Sequence, residues 1–539
     1  MRLSSTMGLA AVAAILSSAS FAADGVGRVE DGVPSANLKG ATTSLTLIDP
    51  DFRTNLLAAG TDPLENPSGA ITKYGMLSDG TLTEPDENTY LVLPHNPGGP
   101  SPNYDYGRHF LFQGHENGSP KAYVTRINLD VPRGDIHRIT LLTPVDGSGN
   151  TGLGSVDGST FNPFTGKLLF TQEAGSAGGV VQVTTGWPAQ INKLDAFLGK
   201  AGYEGIHGDD HGNIYMIEDT GGATSSTATP VDLRKGRQPN SFVYRFVPKN
   251  PQRIEDGGDL QALQVTIDGA AIVFGGTTPA QRDADISSTA QLKLHTAGTH
   301  YPVKWVTIHT SHAGDTASFD ANAAAKTAGA TPFKRPENMA WLPGSDFRTF
   351  FFDPTGDTDS VAGENPFLQG RGAYGAIFRV DLDRRDNDGD DDDHRSRGPK
   401  SSFDGQISLF VLGDHDHNSF DNLAFINERQ LLATEDRGDL LHTELNTLDS
   451  VWAFDLHNRK AARFIALGRD ATSIAKGEDN EPTGLFVSNG SPKKGGLLGT
   501  EESLDDAHGF FTMQHGDNHT YEFFKVRERR ESFIPVVVQ

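Results

Sequence analysis

Glu204-Gly205-Ile206-His207, together with the later Met216-Ile217-Glu218-Asp219, forms one copy of an internal repeat. Each copy opens with an acidic or amide residue, enters a short apolar run and turns on glycine, proline or asparagine. It then returns in a second apolar run that ends on a carboxylate. Further copies span residues 157–173, 337–353 and 421–436, with fragments at 111–116 and 481–487. Short β-branched and aromatic runs bounded by turn residues are typical of paired strands.

The repeat predicts an all-β fold of roughly six unevenly spaced units. A radial array explains it well, because each small antiparallel sheet can bury its faces against its neighbours. We therefore expect an approximately six-bladed β-propeller with long inserted loops. The 61 glycines and 29 prolines agree with many tight turns and few long helices. A pair of β-sandwiches is the alternative.

Composition limits the compartment and the partners. Residues 1–22 combine Arg2, an apolar stretch and a small-residue cleavage pattern, which is typical of a Sec-type signal peptide. The chain has no cysteine, which excludes disulfides and thiolate metal sites, and its net charge of -24 argues against nucleic acid and anionic membranes as partners. We expect residues 23–539 to form a single propeller domain with insertions near 220–239, 250–299 and 383–401.

The acidic residues recur at one phase of the repeat. In a propeller the innermost strands line a central channel, so equivalent positions point to the same axial region. The residues placed near one mouth in this way are Asp157, Glu204, Glu337, Asn338, Asp421, Asn422 and Glu481. The acids at the ends of the return strands, nearby or toward the rim, are Glu116, Glu173, Glu218, Asp219, Asp353, Glu435 and Asp436.

So many carboxylates in one place repel one another unless they are protonated or neutralised. Calcium takes six to eight oxygen ligands from carboxylates and amide carbonyls, and would relieve this repulsion. The alternative is that these acids cap turns and face water. Capping does not explain why they recur at one phase, so the sequence favours a metal centre.

Short motifs throughout the chain also resemble a known family. In order, they are His115-Glu116-Asn117, Thr171-Gln172-Glu173, Glu204-Gly205, Asp219-Thr220-Gly221, Asn240-Ser241-Phe242-Val243-Tyr244-Arg245-Phe246, Arg335-Pro336-Glu337-Asn338, Asp421-Asn422-Leu423-Ala424-Phe425 and Glu481-Pro482-Thr483-Gly484. This series resembles the PhoX-type secreted alkaline phosphatases over roughly residues 60–490. The resemblance implies a six-bladed propeller with a calcium and iron cluster at the channel mouth, which hydrolyses phosphate monoesters.

The resemblance assigns roles to particular residues. The metal ligands that it implies are Glu116, Glu173, Glu204, Glu337 and Asp421, followed by Asp219 and Glu481. Glu173 and Arg335 are the predicted catalytic residues, and Arg437 is the alternative to Arg335 as a cation for the phosphate. The family has an iron-ligating cysteine where this chain has Gln172, so the cofactor is calcium with iron, calcium alone, or a different metal set.

Three functions remain open at this stage. The first is an exported metal-dependent phosphohydrolase, secreted or periplasmic, which acts on a small phosphorylated substrate as a monomer without a nucleic-acid or membrane partner. The second is a calcium-dependent propeller lactonase or phosphotriesterase. The third is a non-catalytic exported binding protein stabilised by calcium, which the missing cysteine favours.

Overall fold

The computed structural model describes residues 25–40, 44–383, 404–526 and 536–538. The predicted signal peptide and nearly all of the predicted insertion at 383–401 lie outside these ranges. Within them, no helix is both long and apolar enough to span a bilayer.

Strands dominate the described chain. The first fifteen are β1 Leu47–Ile48, β2 Phe52–Ala58, β3 Ile71–Lys73, β4 Met76–Leu77, β5 Glu84–Val92, β6 His109–Glu116, β7 Tyr123–Asn128, β8 Ile139–Leu141, β9 Val156–Asn162, β10 Lys167–Gln172, β11 Gly179–Thr184, β12 Ile191–Lys193, β13 Tyr203–Gly208, β14 Ile214–Glu218 and β15 Val243–Pro248. The others are β16 Gly258–Ile267, β17 Ala270–Ala271, β18 His300–Thr310, β19 Pro336–Trp341, β20 Thr349–Pro354, β21 Ala376–Leu382, β22 Gly405–Leu412, β23 Phe420–Asn427, β24 Gln430–Glu435, β25 Ser450–Asp455, β26 Ala461–Ala466, β27 Pro482–Ser488, β28 His508–Met513, β29 His519–Lys525 and β30 Val536–Val537.

The helices are short. They are α1 Asp195–Leu198, α2 Pro279–Ile286, α3 Thr289–Leu294, α4 Ala321–Thr327, α5 Ser360–Gly363, α6 Pro366–Gln369, α7 Gly438–Leu445 and α8 Ala471–Lys476. The predicted insertion at 250–299 contains α2 and α3, but it also contains β16, which pairs with β15 and β18 inside a large sheet.

The strands group into units of four antiparallel neighbours. In order they are β5-β6-β7-β8, β9-β10-β11-β12, β13-β14-β15-β16, β19-β20-β21-β22, β23-β24-β25-β26 and β27-β28-β29-β2. Strand β18 pairs with β16 and β22 and joins two units edge to edge. The last unit takes its outermost strand, β2, from the start of the chain.

The first strands of successive units contact one another in a closed series. Strand β5 contacts β9, and the series continues through β13, β19, β23 and β27 back to β5. The innermost strands therefore surround a common axis. The predicted all-β propeller is confirmed, and the copies of the repeat correspond to the two innermost strands of the units.

Both faces of each unit are buried, which explains the nearly continuous apolar runs. On β6, Phe110 and Phe112 pack in a core with Leu168 and Phe170 of the next unit, while Leu111 points to the opposite face. Successive side chains of a strand point to opposite faces, so one strand supplies two cores. Burying each large apolar side chain contributes roughly 1.5–3 kcal/mol.

Candidate metal centre

Each innermost strand contains a β-bulge near the same end. On β13 the register shifts between Tyr203 and Ile206, and on β19 it shifts between Pro336 and Met339. The other four innermost strands have the corresponding shift. A bulge sets two residues against one on the partner strand and re-aims a side chain. The residues that follow the first bulge position are Asp86, Asp157, Glu204, Glu337, Asp421 and Gly484.

A second set of acids comes from the return strands. One residue beyond the partner of the first bulge position, the chain has Glu116, Glu173, Asp219 and Asp436 in four of the units. The bulge acid and the return-strand acid of one unit are thus neighbours at the same mouth. The sixth unit has glycine at the bulge and contributes Glu481 from just before β27.

These carboxylates meet in space. Oxygen atoms of Asp86, Glu116 and Asp157 lie within 4.8 Å of one another, as do those of Glu173, Glu204 and Asp219. Glu337 and Asp421 are close enough to raise the pKa of Glu204, and Asp421 and Asp86 are close enough to raise the pKa of Glu481. We call the whole set the acidic centre, defined as Asp86, Glu116, Asp157, Glu173, Glu204, Asp219, Glu337, Asp421 and Glu481. It includes all seven of the metal ligands suggested by the sequence.

Burial and mutual repulsion oppose ionisation in the acidic centre. Burial, with the nearby Glu84 carboxylate, raises the pKa of Asp86 to about 7. Burial and the neighbouring Asp219 raise the pKa of Glu337 to about 8. Burial and neighbouring carboxylates likewise raise the pKa well above its usual value in Glu116, Asp157, Glu173, Glu204, Asp421 and Glu481. Carboxylates in this state are protonated near neutral pH unless a cation neutralises them.

The hydrogen bonds leave some of these oxygens free. Gln514 donates from Nε2 to Asp86 Oδ2 at 2.9 Å and lies 3.4 Å from Glu116 Oε2. Glu116 Oε1 and Asp157 Oδ1 are buried and have no hydrogen-bond partner among the described residues. Buried polar atoms are normally paired, so unpaired oxygens at the centre of an acidic cluster fit a cation.

One cation of the chain lies inside the acidic centre. Arg335 Nε and Nη2 donate to Asp219 at 2.8–3.1 Å, and Nη2 is 3.2 Å from Glu337 Oε1. Burial opposes its charge, but Asp219 and Glu337 outweigh burial and raise the pKa of Arg335 well above its usual value. Its backbone has φ 52°, an uncommon conformation for a residue other than glycine.

Arg437, the alternative cation, lies elsewhere. Its Nη2 donates to Glu435 Oε1 at 2.8 Å and its Nε is 3.9 Å from Asp449, all of them buried. Glu435 also accepts hydrogen bonds from Ser450 N and Asn418 N. Arg437 is therefore held in an ion pair within the fifth unit, and its alternative role stays a prediction.

One further return-strand acid, Glu218, points away from the axis. Glu218 accepts hydrogen bonds from Tyr244 Oη at 2.7 Å and Phe242 N at 3.1 Å inside the third unit. Asp219, one residue later, faces the acidic centre. Adjacent residues of a strand point to opposite sides, so only one of two neighbouring acids can reach the axis.

A polar plug crosses the channel beneath the acidic centre. Glu87 of the first unit accepts hydrogen bonds from Ser159 N at 2.7 Å and from Asn338 Nδ2 of the fourth unit. On the other side, His207 Nε2 donates to Asn338 Oδ1 at 3.2 Å. Burial lowers the pKa of His207 to about 4, so the imidazole is neutral. The plug links the first four units through hydrogen bonds between their innermost strands.

Sequence reasoning missed Asp86, Glu87 and Gln514 in this region. A signal for Asp86 exists, because Pro85-Asp86 and Pro336-Glu337 both place an acid after a proline, and the two prolines occupy equivalent register positions. The predicted strand began only at Thr89, which left these residues outside it. Gln514 belongs to no copy of the repeat and carried no signal.

Gln172, where the family has cysteine, donates from Nε2 to Gly154 O at 2.9 Å. A separate group of Asp209, Asp210 and His211 lies in the turn between β13 and β14, at the other end of the third unit. There the carboxylate of Asp209 accepts hydrogen bonds from His211 N and Asn213 N, which shape the turn.

The chain matches the family model for alkaline phosphatase PhoX over residues 231–491. Among solved structures, it is similar to Pseudomonas fluorescens PhoX in complex with vanadate, a transition state analogue, with 13% identity, a TM-score of 0.53 and coverage of 92% of this chain and 97% of that chain.

Two other solved structures are less similar. A PQQ-bound aldose sugar dehydrogenase from Streptomyces coelicolor has 12% identity, a TM-score of 0.33 and coverage of 88% of this chain and 99% of that one. A luciferin-regenerating enzyme has 10% identity, a TM-score of 0.32 and coverage of 85% and 95%. No curated protein matches in sequence. The match to the family model over residues 231–491 and the likeness in fold together support a PhoX-type family for this chain.

Proposed function

We propose that this chain is an exported, metal-dependent phosphohydrolase that cleaves phosphate monoesters at the acidic centre. The observation that carries the proposal is the convergence of carboxylates from every unit on one buried site, with oxygens of Glu116 and Asp157 unpaired. The match to the PhoX family model supports the reaction class, and the sequence pattern of residues 1–22 supports export.

The donor set fits calcium. The acidic centre offers carboxylate oxygens, and the amide of Gln514 lies beside it. Hard oxygen donors of this kind suit calcium, whereas a thiolate would favour a softer metal. The chain has no cysteine, and the Gln172 amide is bonded to the backbone. We therefore propose calcium as the main cofactor, with any iron held by carboxylates alone.

Bound divalent cations would neutralise phosphate oxygens and activate the attacking oxygen. The side chains of the acidic centre would hold these cations and fix their spacing. Arg335 would orient the phosphate, because the two-point bond to Asp219 fixes its guanidinium while Nη1 has only a long contact, 3.5 Å, to Thr358 Oγ1. Glu173 is one of the partly buried acids of the set and can hold a proton, because burial and the neighbouring Asp219 raise its pKa.

The polar plug supports a site with one entrance. In this proposal the hydrogen-bonded pair of Glu87 and Asn338 forms the floor of the site, so substrate and water would enter and leave by the same mouth. A closed floor also keeps the carboxylates in a region of low dielectric, where the attraction between cation and ligand is stronger.

The test is hydrolysis of p-nitrophenyl phosphate at alkaline pH by the purified full chain. Protein stripped with a chelator should be inactive, and calcium should restore turnover, with iron as the second metal tried. Asp157→Asn should reduce activity at limiting calcium. The matched control Asp210→Asn, at the far end of the third unit, should behave as wild type.

The outcome against the proposal is an absence of turnover under every metal condition. Turnover of a lactone or a phosphotriester but not of the monoester would favour the second of the three functions. Strong thermal stabilisation by calcium without turnover of any substrate would favour the third, a calcium-stabilised binding protein.

A further inference from the structure

Arg237 is held beside the acidic centre by a buried framework. Its backbone N donates to Asp357 Oδ1 at 2.9 Å, and its Nε donates to the Asp357 carbonyl at 3.2 Å. Asp357 is fully buried, and its neighbour Thr358 contacts Arg335. Two bonds to one buried residue fix the start of the Arg237 guanidinium, so its direction is set by the fold.

Asp357 does not neutralise the charge of Arg237, because it is already paired with Lys334. Lys334, whose side chain is only 2% exposed, lies with Nζ 2.9 Å from both carboxylate oxygens of Asp357. This buried pair is already neutral in sum. The adjacent Arg237 therefore brings a net positive charge to the mouth of a strongly acidic site.

The terminal nitrogens of Arg237 have no partner among the residues that the structure describes, and they are not buried. Other cations of the same segment differ in this respect. Arg234 pairs with Asp232 at 2.7 Å, and Lys235 pairs with Asp359 at 2.9 Å. Of these three neighbouring cations, only Arg237 presents a free hydrogen-bonding face.

The free face lies beside the segment that carries Asp219. Arg237 Nη1 is 3.2 Å from the point where a Cβ on Gly221 would lie, and Gly221 follows Asp219 by two residues. Asp219 is the residue with which Arg335 forms its ion pair. The two guanidiniums therefore flank the same short segment, one inside the acidic centre and the other at its rim.

We propose that Arg237 is a specificity-determining residue that binds a second anionic group on the substrate, such as a second phosphate. The inference rests on the proposed function, in which the scissile phosphate occupies the acidic centre next to Arg335. A planar guanidinium with two free nitrogens suits bidentate recognition of a phosphate or carboxylate. The preferred substrates would then be monoesters that carry another negative group on the leaving portion.

The test compares two probes on the calcium-loaded full chain. Arg237→Gln should raise KM for glucose 1,6-bisphosphate about tenfold, equivalent to about 1.4 kcal/mol, and leave kcat unchanged. KM for p-nitrophenyl phosphate should stay within about twofold. The matched control Arg234→Gln removes a nearby paired arginine and should alter neither probe. Equal losses on both probes, or an unchanged KM for the bisphosphate, would overturn the proposal.

Two further measurements keep the test decisive. If Arg237→Gln does not fold, as judged by thermal melting, the ratio of the two KM values in wild type must rise with ionic strength, and a constant ratio overturns the proposal. If wild type hydrolyses neither probe, the proposed function fails. Calorimetric binding of glucose 1,6-bisphosphate then still decides the role of Arg237, because Arg237→Gln must bind it more weakly.

Discussion

Removing divalent cations should make the protein less stable as the pH rises from about 5 to about 8. The pKa values of Glu337 and Asp86, about 8 and about 7, are both raised above the ordinary values of 4.5 and 3.8. The folded chain then keeps protons that the unfolded chain has released. Unfolding is favoured as the pH rises wherever the folded state binds more protons.

The size of the effect follows from the two shifts. One pKa unit corresponds to about 1.4 kcal/mol, so the folded state loses roughly 4 kcal/mol through Glu337 and about 3 kcal/mol through Asp86 over this range. A chain of this length has an unfolding entropy of about 1 kcal/mol/K. These two groups alone should therefore lower the melting temperature of the chelated protein by roughly 7 °C, and the other acids of the acidic centre with raised pKa values act in the same direction.

The assay is thermal melting in chelator and in excess calcium, at intervals from pH 5 to pH 8. Calcium binds only the folded site and competes better as protons leave, so the calcium-loaded protein should not show the fall. Glu337→Gln removes a contribution of roughly 4 kcal/mol and should make the decline in the chelated protein smaller. A melting temperature in chelator that is constant or rises with pH would refute the reasoning.

Three other changes test separate parts of the site. Asp157→Asn removes a carboxylate with a free oxygen and should weaken calcium binding at least tenfold by calorimetry, a loss of about 1.4 kcal/mol. Arg335→Lys loses the fork that grips Asp219 and should lower kcat/KM for p-nitrophenyl phosphate roughly a hundredfold, with an unchanged value contradicting its role. Gly158→Ala places a methyl group 1.9 Å from Glu204 O on the next innermost strand and should cost about 3 kcal/mol in denaturant unfolding.

The axial acids could be predicted from the sequence because they recur at the same position in each copy of the repeat, although the other residues differ between copies. Glu204 and Asp421 each follow the first bulge position of their strands, and each precedes an apolar run that is easily seen. The bulge itself could not be predicted. It depends on pairing with the return strand, and no local residue pattern specifies which partner residue is skipped.

Which of two adjacent acids faces the axis was also beyond the sequence. Glu218 and Asp219 have similar chemistry, and only the register of β14 against β15 settles that Glu218 bonds inside the unit. The ion pair of Arg437 with Asp449 could not be predicted for the same reason, because a helix separates the two residues in the sequence. The roles of Arg237 and Lys334 depend on their contacts with Asp357, which lies in a loop distant from Arg237 in the sequence. These roles could therefore not be predicted without the tertiary fold.

The last unit joins the two ends of the described chain, and this has a consequence for the proposed export. Asn55 of β2 bonds Glu522 of β29, a separation of 467 residues along the sequence. The circle of sheets cannot be completed until almost all of the polypeptide has been delivered to its final compartment. Cation binding needs acids from early and late units together. It would then occur only after translocation and assembly are complete.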